Sequence, residues 1–159
     1  MFQVTRRIDF CYGHRLLDYE GKCRHLHGHN GKLLITLASP ELDGRGMVLD
    51  FSEIKRSVSR WIDEHLDHRM LLARDDPLAS VLQNSGEPLF LMDVNPTAEN
   101  IARLVSQVAI DQGFPVVEVR LWETPHCFAT YRPTERAEDR IEWTVIGAAP
   151  EPSKGDQGQ

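Results

Sequence analysis

Cys23-Arg24-His25-Leu26-His27-Gly28-His29-Asn30-Gly31-Lys32-Leu33-Leu34-Ile35-Thr36-Leu37 sets three histidines at alternate positions directly before a run of strand composition. Alternate side chains of an extended chain share one face, so the imidazoles are expected side by side. Two imidazoles two residues apart on a strand reach one metal ion. A third from a neighbouring strand completes a three-nitrogen set that leaves a fourth position open, which is how a catalytic zinc site is built. Either His14, on an earlier predicted strand that a hairpin-like return would bring beside His27 and His29, or His25 could be that third ligand. A lone histidine is more often exposed or structural; three within five residues reverse that expectation.

Working outward, Phe2, Val4, Ile8 and Phe10 occupy even positions and Gln3, Thr5, Arg7 and Asp9 odd ones, the period of a half-buried strand able to stand at a sheet edge. Gly31 to Leu37 reads as a second strand. Ser39-Pro40 through Gly44-Arg45-Gly46 supplies turn chemistry before Met47-Val48-Leu49, suggesting a hairpin. Asp50 and Glu53 resemble a capping box, followed by Ile54, Val58, Trp61, Ile62 and Leu66 at helical spacing. Residues 73–96 read as an inserted loop with room for a helical turn and a short strand. Thr97 is the expected N-cap of a second amphipathic helix carrying Ile101, Leu104, Val105, Val108 and Ala109. Val116 to Glu123, Cys127 to Tyr131 and Ile141 to Val145 read as further strands. The order predicts an α+β layer: an antiparallel sheet with two helices on one face. Residues 1–149 form the expected single domain, and 150–159, rich in Pro, Gly, Ser and Gln, a disordered tail.

The composition narrows the function classes. The chain has 159 residues, 41% hydrophobic and 26% charged, with a formal net charge of -6. No basic run suits a nucleic-acid backbone. No stretch approaches the roughly 20 apolar residues that span a bilayer, and the first residues do not resemble a signal peptide. A cytoplasmic location is therefore expected, with neither nucleic acid nor membrane as partner. Cys11, Cys23 and Cys127 are an odd, sparse set without a CxxC pair, so free thiols are expected.

The chain also carries Phe10-Cys11-Tyr12-Gly13-His14-Arg15-Leu16, Gly46-Met47-Val48-Leu49-Asp50-Phe51, Leu66-Asp67-His68, Pro96-Thr97-Ala98-Glu99-Asn100 and Glu123-Thr124. In this order, together with Cys23 to Asn30, these pieces resemble the signature of the 6-pyruvoyl/6-carboxytetrahydropterin synthases over about Phe2 to Arg132. The resemblance implies a tunnelling fold, with a four-stranded antiparallel sheet and two helices on one side, assembling as a homohexamer of two trimers. It implies Zn2+ held by His14, His27 and His29, with His25 outside the set. It also implies Cys23 as proton acceptor, Asp67 and His68 as its acid/base partners, Glu123 as the carboxylate that holds the pterin ring, and Thr97 as a pterin contact through its backbone.

Each implied role has a physical basis. A zinc ion can polarise side-chain oxygens of a pterin triphosphate substrate. Cys23, near Arg24, His25 and a metal, can have a lowered thiol pKa and serve as a base; a fourth zinc ligand is its alternative role. Asp67 can orient the His68 ring, and a Glu123 carboxylate can accept two parallel hydrogen bonds from an aminopyrimidinone edge. The Cys-x-x-x-His-x-His spacing resembles the branch that makes 6-carboxytetrahydropterin on the way to queuosine. The alternatives are triphosphate elimination to 6-pyruvoyltetrahydropterin, a retro-aldol side-chain cleavage, and a non-catalytic zinc- or pterin-binding protein.

Overall fold

The computed structural model describes residues 1–134 and 140–147; the expected C-terminal tail lies outside them. Strand β1 (Phe2–His14) and β2 (His27–Ser39) form one long antiparallel hairpin, in register from Phe2 opposite Ser39 to His14 opposite His27. The apolar alternation extends through Tyr12 to His14. Ile8, Phe10, Tyr12 and His14 are buried on one face of β1, facing the same way as Leu33, Ile35 and Leu37 of β2. Each of those aliphatic side chains contributes about 1.5–3 kcal/mol by leaving water.

The helical periodicity after Asp50 is borne out. Asp50 caps α1 (Phe51–Ile54) by accepting from the Ser52 amide at 2.8 Å. The Glu53 amide bonds the Asp50 carbonyl, so Asp50 acts as a simple N-cap. The chain continues through a π-helical stretch, Lys55–Ser59, into α2 (Arg60–His65), with Leu66 as C-cap. Strand β3 (Arg69–Ala73), α3 (Leu78–Asn84), β4 (Leu89–Met92) and α4 (Ala98–Asp111) follow. Thr97 caps α4 through the Asn100 amide at 3.3 Å. The order ends with β5 (Val116–Thr124), β6 (Cys127–Tyr131) and β7 (Trp143–Ile146).

The α+β content agrees with the sequence, but the sheet differs from the four-stranded antiparallel expectation. Among the described residues it has seven strands in the order β6-β5-β2-β1-β3-β4-β7. The β1–β3 and β3–β4 pairs are parallel and the others antiparallel. β1 is therefore an inner strand, and Met47-Val48-Leu49 forms no strand.

The segment read as an irregular insertion is the reason. A parallel strand pair needs a crossover connection, and residues 74–88, with α3, supply it between β3 and β4. Leu71, Phe90 and Met92 join the main core with α1, α2 and α4, whereas Leu72, Leu89 and Leu91 join a second cluster with Ala79 of α3. Successive strand residues face opposite sides, so α3 covers the face of β3 and β4 opposite the main core. This corrects the picture of two helices on one face. Among the described residues, no helix is long and apolar enough to cross a membrane.

Candidate functional site

The hairpin register decides which histidines meet. His14 and His29 extend the buried faces of β1 and β2, and His27 stands directly opposite His14. One nitrogen of each of the three rings falls within 4.8 Å of the others. His25 belongs to the turn after the Lys22–Arg24 3-10 helix and stands outside the cluster, with its ring accepting from Arg24. The alternative third ligand is thus set aside by backbone geometry.

The second nitrogens determine what the cluster can hold. His14 Nδ1 lies 2.7 Å from the Pro96 carbonyl and His27 Nδ1 2.8 Å from the His25 carbonyl. A carbonyl only accepts, so both Nδ1 atoms carry hydrogen and both neutral rings present Nε2 lone pairs. Those two Nε2 atoms are 3.0 Å apart. Facing lone pairs repel unless a cation or an extra proton lies between them. Burial, the strongest influence, lowers the His14 pKa from its ordinary 6.5 and opposes protonation, while the Pro96 carbonyl and Glu123 pull the other way. The donor set therefore fits a divalent metal, with its imidazoles oriented by backbone carbonyls. Nitrogens around a tetrahedral zinc lie about 3.4 Å apart, near the 3.0 Å between these two.

Glu123, at the end of β5, reaches the same place. Its Oε1 lies 3.7 Å from His14 Nε2 and 4.0 Å from His29 Nε2. The Tyr12 hydroxyl donates to that oxygen at 3.0 Å. Burial, and then the charge and hydrogen bond of Glu123, push the Tyr12 pKa well above its ordinary 10.0, so the phenol is a neutral donor throughout the physiological range. Glu123 and His14 border a cavity of about 350 Å³ also lined by Cys23, Thr97 and Cys127.

Asp67 and His68 occupy the other side. The Cys11 amide donates to Asp67 Oδ1 at 2.7 Å, and the His68 amide to the Cys11 carbonyl at 2.7 Å. Asp67 Oδ2 stands 2.7 Å from His68 Nδ1. His68 has φ 56°, a left-handed conformation that non-glycine residues adopt uncommonly, held here by these bonds. The His68 ring is exposed and borders cavities of about 610 and 960 Å³; His29 lines both, and Cys23 lines neither. Glu123 lines both the 960 Å³ cavity, with Asp67 and His68, and the 350 Å³ cavity, with Cys23.

The loop carrying Cys23 is fastened at several points. The Leu16 amide donates to the Cys23 carbonyl at 2.9 Å. Asn95 grips Leu17 on both backbone groups, accepting at 2.8 Å and donating at 2.9 Å. Arg15 makes a two-point bond to the buried Asp76 at 2.7 and 2.5 Å. Sequence reasoning missed Tyr12, Asn95 and the Pro96 carbonyl. Tyr12 had a usable signal, since it shares the even alternation of Phe10 and His14. Nothing local marks the other two.

Comparison with known proteins adds a second line of support. Residues 3–134 match the family described as 6-pyruvoyl tetrahydropterin synthase. The chain belongs to this family. The 6-carboxy-5,6,7,8-tetrahydropterin synthase of Rickettsia typhi is 42% identical over 135 residues, covering 80% of this chain and 98% of the relative. The protein of the same name from Haemophilus influenzae is 31% identical over 140 residues, covering 83% and 99%. Among solved structures, an uncharacterized protein of Wolinella succinogenes aligns with a TM-score of 0.69 and 31% identity, covering 84% of this chain and 98% of that one. The Caenorhabditis elegans 6-pyruvoyl tetrahydropterin synthase aligns with a TM-score of 0.61 at 23% identity, over 84% and 96%, which shows the shared fold. The tetrahydropterin synthase match stops at residue 134, so β7 lies beyond it.

Proposed function

We propose that the protein is a zinc-dependent lyase that converts 7,8-dihydroneopterin triphosphate and water to 6-carboxy-5,6,7,8-tetrahydropterin, acetaldehyde and triphosphate. The observation that carries this reading is the meeting of three imidazoles with one carboxylate: His14 and His29 Nε2 lie 3.7 and 4.0 Å from Glu123 Oε1, beside a cavity that Cys23 lines. The printed names of relatives at 31–42% identity favour the carboxy product.

The roles follow from chemistry and position. His14, His27 and His29 would hold Zn2+, which as a Lewis acid polarises the substrate's side-chain oxygens and acidifies adjacent protons. Glu123 accepts from the N–H groups of the pterin ring, and the backbone at Thr97 borders the ring. Cys23, as thiolate, removes a side-chain proton. His68, oriented by Asp67, is the complementary acid/base. The proposed assembly is a homo-oligomer, a hexamer of two trimers. The setting proposed is a single cytoplasmic domain supplying queuosine biosynthesis.

The test is to incubate zinc-loaded protein with 7,8-dihydroneopterin triphosphate and identify products by mass spectrometry, with Cys23→Ala in parallel. 6-Carboxytetrahydropterin with acetaldehyde, lost in Cys23→Ala, is the expected result. Accumulation of 6-pyruvoyltetrahydropterin would place the chain in the other branch. Absence of product from folded, zinc-bound protein would overturn the enzyme reading.

A further inference from the structure

We infer that Tyr12 is a positioning residue for Glu123: its hydroxyl keeps the carboxylate off the three-histidine cluster and presents it as a fixed acceptor to the ring edge of a pterin. The inference rests on the proposed role of Glu123 and concerns a residue outside the predicted site.

A carboxylate this near three imidazoles has two competing uses. Its Oε1 stands 3.7 and 4.0 Å from two ring nitrogens, while a carboxylate bound to zinc lies at about 2.0–2.2 Å from the ion. A small rotation of Glu123 would make it a fourth ligand and close the position the substrate needs. The Tyr12 hydroxyl, 3.0 Å from the same oxygen, opposes that rotation with a hydrogen bond to a charged acceptor, one of the stronger kinds. It uses one lone pair of Oε1 and leaves Oε2 free, so two parallel N–H donors of an aminopyrimidinone can still be accepted.

Tyr12 can act as an anchor because its own ring cannot follow the carboxylate. The residue is 3% exposed. Its ring stacks on Phe10 at 5.3 Å between centroids and meets the His14 ring edge-on at 5.3 Å. Across the hairpin, Gly31 leaves the space the ring occupies: a Cβ there would stand 3.0 Å from Tyr12 Cε1. Sequence thus places a bulky donor on β1 and the glycine that accommodates it on β2.

The experiment compares the wild-type protein, Tyr12→Phe, Glu123→Gln, the double variant and Gly31→Ala. Binding of neopterin to the zinc-loaded proteins is read by its fluorescence, and zinc affinity by competition with a chelator. Tyr12→Phe keeps the packed ring, and its thermal melt should stay with the wild type. Expected are about tenfold weaker neopterin binding and about tenfold tighter zinc binding, the scale of one charge-assisted hydrogen bond. Gly31→Ala, which displaces the ring but keeps its hydroxyl, should shift both constants in the same directions by less. The double variant should match Glu123→Gln in both. If Glu123→Gln weakens neopterin but Tyr12→Phe changes neither constant, the positioning role is overturned. A Tyr12→Phe protein that melts early and binds both neopterin and zinc poorly would show a structural role and overturn it equally. If Glu123→Gln leaves neopterin binding intact, the pterin-acceptor reading of Glu123 falls first and takes this inference with it.

Discussion

His14 and His27 face one another through Nε2 atoms 3.0 Å apart, while the Nδ1 of each is committed to a backbone carbonyl. With neither a cation nor a proton between them this contact is repulsive, so a metal should stabilise the fold as well as serve chemistry. Zinc is expected to raise the melting temperature, with the gain growing with free-zinc concentration as for any ligand specific to the native state. His27→Ala, which removes one ligand, should weaken zinc binding at least tenfold; calorimetry with a chelated reference checks both.

The metal-free protein should lose stability in mild acid. Burial lowers the His14 pKa below 6.5 in the folded chain, so between that depressed value and 6.5 the unfolded chain binds more protons. Stability then rises with pH across this window and falls as pH drops below 6.5. Urea melts of metal-free protein between pH 5 and 7.5 should show the decline, and a flat profile would contradict it.

Asn95→Ala should loosen the loop that carries Cys23. The substitution leaves the Leu17 amide and carbonyl without the partners they have at 2.8 and 2.9 Å, a cost of about 1–3 kcal/mol. Hydrogen exchange at residues 16–24 should accelerate, and turnover should fall more than zinc affinity does. Unchanged exchange in that segment would refute the fastening role.

Asp76→Ala should cost about 1–3 kcal/mol, because the Arg15 guanidinium and the Leu78 amide would both lose their acceptor. The Asp76 side chain is fully buried, and it also accepts from the Leu78 amide at 2.8 Å, so α3 should fray too. Chemical denaturation measures the first effect and exchange over residues 78–84 the second.

Leu89→Ala should destabilise the protein by about 2–4 kcal/mol. Leu89 is fully buried in the small cluster between β4 and α3, not in the main core. A loss under 1 kcal/mol would mean that α3 is a surface attachment.

The sequence made plain whatever one strand or helix encodes by itself. Even-numbered burial on β1 from Ile8 onward, the Asp50 and Thr97 caps and the apolar stripe from Ile54 to Leu66 depend on local spacing and stand as expected, whereas Phe2 is exposed. The parallel part of the sheet was hidden because β3 and β4 are buried on both faces. Met70-Leu71-Leu72-Ala73 and Leu89-Phe90-Leu91-Met92 therefore show no alternation to mark them as strands. The candidate site divides in the same way. The His14, His27 and His29 cluster follows from strand alternation plus one hairpin. The Tyr12–Glu123 bond joins residues 111 apart in sequence, and no local pattern marks such a pair.

The family's shared region ends at residue 134, yet the sheet does not. β7 pairs with β4 from Leu89 opposite Ile146 to Met92 opposite Trp143. It is moored by two Gln107–Ile141 bonds and by the Arg69 guanidinium on the Ile146 carbonyl. An expression boundary drawn at the end of the homologous region would strip this covering and leave four consecutive apolar residues as a bare edge, the kind of strand that recruits other chains into aggregates. For anyone producing the protein, a boundary that keeps β4 paired has to include Ile146, beyond the recognisable family segment.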